Sequence, residues 1–128
     1  EFNRLLARLS GQYSLQAEIL EHEQEFDLLL ALLQQHLSLY MMERFAPSFP
    51  EPYHDRIVAC YLKIFAAEIN KASNRKQYRQ LFNQLKILRR QYSAQRQAME
   101  DFAAEIRERY SEKPRRPALL EELARAGF

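Results

Sequence analysis

Glycine occurs only twice in this chain of 128 residues, at Gly11 and Gly127. That scarcity narrows the fold before any other feature is read. Glycine supplies the positive-φ positions of tight hairpin turns, and strand-rich folds use many of them. A chain with two is expected to consist of helices joined by short connections. The same scarcity excludes a glycine-rich loop of the kind that cradles phosphates. The five prolines are grouped: three in "APSFPEP", 46–52, and two in "SEKPRRP", 111–117. Both stretches must interrupt a helix. Weaker breaks stand at "LSGQ" (9–12), "NKASN" (70–74) and "YSAQ" (92–95).

Between these breaks the apolar residues recur at a helical period, and no segment alternates as a strand does. Short helices are expected at about 2–9 and 13–24. Residues 28–44 place Leu29, Leu32, Leu33, His36, Leu37 and Tyr40 on one face of a single amphipathic helix. Residues 55–70 are apolar nearly all round, through Ile57, Val58, Tyr61, Leu62, Ile64, Phe65 and Ile69. A helix over 75–92 turns Tyr78, Leu81, Phe82, Leu85, Leu88 and Tyr92 inward. The next, over 95–110, turns Met99, Phe102, Ala103, Ile106 and Tyr110 inward. A last helix starts at Pro117, which suits a first helical position, and stops at Gly127. It is expected to bury Leu119, Leu120 and Leu123. The predicted fold is all-α: six to seven antiparallel helices in an α-α superhelix, a tetratricopeptide-like array. It forms a single helical domain over 1–128, with a looser hairpin at 1–46, the proline break, and a C-terminal helical unit at 53–128. No strict repeat of about 34 residues is present, so any repeats are degenerate.

Cys60 is the only cysteine and lies in the apolar run "IVACYLKIF", which points to a buried thiol and a cytoplasmic setting. No stretch approaches the ~18 apolar residues of a membrane span, so no membrane partner is expected. Net charge is only +2 but is unevenly placed. Residues 1–52 carry 3 basic and 8 acidic side chains, and residues 75–128 carry 13 and 7. Such asymmetry points to a charged partner or to complementary packing of the two halves.

No catalytic constellation is legible. There is no G-x-S-x-G, and the three histidines are scattered at His22, His36 and His54. No enzyme activity and no cofactor are expected. Glu18, His22 and Glu25 form the one metal-like grouping, at helical spacing in an acidic stretch. Acidic residues dominate this stretch generally, so an exposed polar face is expected rather than a metal site. His36 reads as a hydrogen-bonded core residue, and His54 as a turn or cap residue.

The basic flank of "ASNRKQYRQLFNQLKILRRQY", 72–92, is the strongest candidate site. At about 100° per residue, with Lys76 at 0°, Arg79 lies near 300°, Lys86 near 280° and Arg90 near 320°. The apolar residues cluster between about 120° and 240°, with Arg89 at the edge of the core face. The candidate contact residues are Lys76, Tyr78, Arg79, Lys86, Arg89 and Arg90. A phosphate-binding strip has this look, but the aromatic rings here face inward. The following helix carries Glu100, Asp101, Glu105, Glu108 and Glu112 opposite its apolar stripe, which would repel a phosphate backbone. A solvated face, or a dock for an acidic protein partner, is therefore expected over nucleic acid; a homodimer is a separate expectation, through apolar surface on the N-terminal helices of a fragment.

Three segments occur in order: "ASNRKQYRQLFNQLKILRRQY", "FAAEIRERY" and "RRPALLEEL". Together they resemble the C-terminal helical region of bacterial SWIM zinc-finger proteins. In that family a Cys/His zinc module precedes long tetratricopeptide-like arrays. Ala72, Arg75 and Tyr78 fit its Ala-x-x-Arg-x-x-Tyr helix, and Arg116, Pro117, Ala118 and Leu119 fit its basic-Pro-Ala-Leu ending. The match covers roughly 53–126, and "AEILEHEQEFDLLLALLQQH" is similar to an array hairpin. The zinc ligands of the family are absent, so no metal function is implied. What the resemblance implies is a non-enzymatic interaction or scaffold domain, a fragment of a longer chain. Nucleic-acid binding by the basic strip and a purely structural C-terminal cap are the alternatives.

Overall fold

The computed structural model describes residues 12–111 and 116–128. The helix expected at 2–9, Gly11, Glu112 and most of the second proline break lie outside these residues. All regular structure described is helical, as the glycine count demands. The α-helices are α1 (Gln12–His22), α2 (Phe26–Gln35), α3 (Leu39–Phe45), α4 (His54–Lys71), α5 (Arg75–Gln91), α6 (Arg96–Ser111) and α7 (Pro117–Arg125). Single 3-10 turns fall at Ala46–Ser48, Glu51–Tyr53 and Ser93–Gln95. Two of them fill the proline break, where Pro47 and Pro52 take early turn positions that need no N–H partner. The chain divides into two compact units between Tyr61 and Leu62, within α4.

In the first unit α1 packs on α2 and α3. The single helix expected over 28–44 is in fact two. Ser38 adopts an extended conformation (φ −154°, ψ 149°), and its hydroxyl accepts a hydrogen bond from Met41 N at 3.1 Å. This N-cap restarts the helix in a new phase. Met41, Met42 and Phe45 are therefore buried beside Leu29, Leu30 and Leu33, while Tyr40 is 67% exposed. His36 closes α2 and is only half-buried. Beyond α3, the rings of Phe26, Phe49 and Tyr53 lie 5.5–5.9 Å apart and pin the proline stretch to the start of α2. The Tyr53 hydroxyl donates to Asp27 Oδ1 at 2.7 Å.

The α1–α2 turn is a Schellman closure. Glu25 N donates to Leu20 O and Gln24 N to Glu21 O, with Gln24 at φ 57°. The same pattern ends α7: Phe128 N donates to Leu123 O and Gly127 N to Ala124 O, with Gly127 at φ 92°. One closure uses glycine and the other does not.

In the second unit α7 packs on both α5 and α6. Tyr78, Phe82, Leu85 and Leu88 of α5 meet a core that includes Met99, Phe102, Ile106 and Tyr110 of α6 and Leu119 and Leu123 of α7. Each such side chain contributes roughly 1.5–3 kcal/mol on burial. Exposed ion pairs contribute at most about 1 kcal/mol each. Apolar packing therefore holds the unit, and the polar groups decide how α7 is seated. Leu120, expected in the core, is only half-buried, and the carboxylate of Glu122 takes a buried place instead.

Candidate functional site

Helix α5 starts cleanly because Asn74 caps it. Asn74 Oδ1 accepts from Gln77 N at 2.9 Å, and Gln77 Oε1 accepts from Ser73 N at 2.7 Å. The helix, "RKQYRQLFNQLKILRRQ", contains six cations and no acid. No intrahelical pair neutralises the strip, so its charges must be answered from elsewhere or stand in solvent.

Its cations fall into two sets. The first is spent on α7. Arg75 Nη1 lies 3.2 Å from Glu122 Oε1 and its Nη2 2.7 Å from Glu121 Oε2. Arg79 Nη2 reaches Glu122 Oε1 at 3.3 Å, and its Nε reaches Glu122 Oε2 at 3.3 Å. Arg125 Nη1 adds a third guanidinium at 3.4 Å. Glu122 is only 2% exposed, so both carboxylate oxygens are answered at a protected position. Hydrogen bonds from Arg79, then Arg75, and the charge of Arg125 hold its carboxyl below the usual carboxylate range, against the opposing effect of burial. Arg89 seats the other end of α7. Its Nη1 lies 3.0 Å from Glu100 Oε1 and 3.2 Å from Gly127 O, and its guanidinium lies 4.0 Å over the Phe128 ring. A Cβ at Gly127 would come within 3.3 Å of Arg89 Nη2, so glycine serves both the turn and this approach.

The second set is Lys76, Lys86 and Arg90, which have no ionic or hydrogen-bond partner among the described residues. Lys76 and Arg90 are exposed and Lys86 is half-exposed. Ile87 stands among them at 51% exposure. Tyr78 belongs to neither set. It is buried, and its hydroxyl donates to Ala72 O at 3.2 Å. Of the six candidate contacts, three thus remain available, two are held by acids, and one is core.

Arg116 was visible in the sequence only as part of a motif, and its position explains the motif. Pro117 at the first position of α7 disfavours a helical conformation for the residue before it, and Arg116 is non-helical (φ −126°, ψ 83°). Its side chain caps the end of α4. Nη1 donates to Ile69 O at 3.0 Å, Ala72 O at 3.3 Å and Tyr78 Oη at 3.4 Å, and Nη2 donates to Asn70 O at 3.5 Å. The guanidinium also lies 4.7 Å over the Tyr110 ring. Ala72 just past α4, Tyr78 at the start of α5 and Arg116 before α7 are one hydrogen-bonded group.

No protein-family model, curated protein or solved structure matches this chain. Cys60 is buried. Glu18 of the metal-like grouping pairs with Arg44 at 3.3 Å, and no group of three or more metal-ligating side chains is gathered among the described residues. No described helix is long and apolar enough to cross a membrane. Glu122 is the residue that sequence reasoning missed. Its signal was an acid at the phase of Leu119, Leu123 and Ala126, where a carboxylate must meet cations or be excluded from the core.

Proposed function

We propose that this chain is a non-enzymatic protein-interaction or scaffold domain, a tetratricopeptide-like array of the SWIM zinc-finger kind, acting in the cytoplasm. It offers the outer strip of α5 to a protein partner. The division of the α5 cations carries the reading. Arg75, Arg79 and Arg89 are engaged with acids, whereas Lys76, Lys86 and Arg90 stand beside an exposed isoleucine in a helix without acids. An aliphatic side chain inside a cationic strip suits a protein surface better than a phosphate backbone.

A photo-crosslinking side chain placed at Gln80 or Asn83, both exposed within the strip, tests this in cells. The expected result is nuclease-resistant protein adducts from these positions and none from exposed Glu108 on α6. Nuclease-sensitive adducts would replace the reading with nucleic-acid binding. No adducts at either position would leave the purely structural cap, which the seating of α7 by Arg116, Glu122 and Arg89 favours.

A further inference from the structure

The available cations of α5 do not stand alone. At about 100° per residue, Asn83, Ile87 and Arg90 fall within about 40° of Lys76, and Lys86 flanks them. The strip is therefore amphipathic in its own right: an exposed aliphatic side chain, Ile87, with Arg90 and then Lys86 along one side of it. Its natural complement is a helix that presents aliphatic side chains followed by carboxylates along one line.

The first unit carries such a helix. Leu15, Ile19 and Glu23 are spaced four residues apart, so they share a line on α1. Leu15 is 39% exposed and Ile19 42% exposed. Glu23 N donates to Ile19 O at 3.0 Å, so the helical ladder carries Glu23 onto the same line. Glu25 follows one turn residue later. Glu23 and Glu25 are exposed and have no ionic partner among the described residues. Glu18 and Glu21 differ, since Arg44 stands 3.3 and 3.9 Å from them. Two exposed helix faces thus carry charges of opposite sign that are unpaired among the described residues, each beside exposed aliphatic side chains: Leu15 and Ile19 on α1 and Ile87 on α5.

We infer that a second copy of this chain docks its Leu15–Ile19–Glu23 face against the α5 strip of Lys86, Ile87 and Arg90. This rests on the reading of α5 as a protein-binding surface and names the partner. A single helix-on-helix contact lies below the ~1,200 Å² of a standard interface, so one such contact is weak and salt-sensitive. Reciprocal docking about a two-fold axis doubles it, and head-to-tail docking extends it into a chain.

Sedimentation analysis over a range of protein concentrations tests the inference. Wild-type protein is expected to associate at about 50 mM salt, and its dissociation constant is expected to rise about tenfold or more by about 500 mM. The double variants Lys86→Glu/Arg90→Glu and Glu23→Lys/Glu25→Lys are each expected to be monomeric, with unchanged far-UV circular dichroism because all four residues reach solvent. Mixing the two variants restores complementary faces in both directions, so association is expected to return. Monomeric wild-type protein at low salt overturns the inference. So does association that survives either variant, or a mixture that stays monomeric. If crosslinks from Gln80 and Asn83 reach other proteins but never a second copy, the homotypic partner is wrong and the interaction domain stands. If no crosslinks form, the interaction domain itself is wrong.

Discussion

Replacing Arg116 by Ala should loosen the second unit by a predictable amount. The last four carbonyls of a helix have no intrahelical donor. Arg116 answers Ile69 O and Asn70 O near the end of α4, and Ala72 O just past it. Only the bond to Ile69 O, at 3.0 Å, has the preferred length; those at 3.3, 3.4 and 3.5 Å are weak. One charge-assisted bond contributes about 1.5–3 kcal/mol net, and a partly exposed cation over Tyr110 adds about 0.5–1 kcal/mol. The site is part-buried, so water recovers some of this when the side chain is removed. Arg116→Ala should therefore cost about 2–3 kcal/mol, or a fall in melting temperature on the order of 10 °C. Urea titration followed by far-UV circular dichroism measures it. Arg116→Lys should recover less than half, because one ammonium cannot span three carbonyls and a ring. A double-mutant cycle with Tyr110→Leu should show coupling of about 0.5–1 kcal/mol. A cost below about 0.5 kcal/mol, or full recovery by lysine, would refute the capping argument.

Two further outcomes follow from the seating of the helices. The carboxyl of Glu122 is depressed in the folded state, so its contribution is fully present above the usual carboxylate value of 4.5 and is lost as pH falls through the lower folded value. Glu122→Gln should be less stable than wild type at neutral pH, with the difference closing in acid; a difference that is constant down to pH ~3 would contradict this. Gln24→Gly should raise stability by up to about 1 kcal/mol in thermal or urea unfolding, because Gln24 holds the left-handed conformation (φ 57°) that Gly127 supplies without strain at the end of α7.

Periodicity made most helices legible, because a buried stripe at 3.6 residues leaves a pattern in any single segment. It located α4, α5 and α6 to within one or two residues. It failed at Ser38, where Leu37, Leu39 and Tyr40 continue the apolar spacing while the serine hydroxyl breaks the helix. The basic strip was equally legible as a strip. Which cations it keeps was not, since Arg75 and Arg79 meet Glu122 across 47 and 43 residues of chain. That division depends on where α7 lands on α5, and no local pattern encodes it. Glu122 could have been found by asking why an acid shares the face of Leu119 and Leu123. Arg116 could have been found by asking what an arginine held out of the helix by Pro117 can reach.

The grouping of three guanidinium ions around one carboxylate makes the site unequal in what it tolerates. Removing Arg75, Arg79 or Arg125 singly leaves Glu122 with two cations and still neutralised. Removing the carboxylate leaves Arg75 with Glu121 alone and takes from Arg79 and Arg125 the acid that they share. Sequence drift can pass through the arginines one at a time, whereas a change of the acid removes three contacts at once. In a saturation library selected for folding, positions 75, 79 and 125 should each accept more residues than position 122.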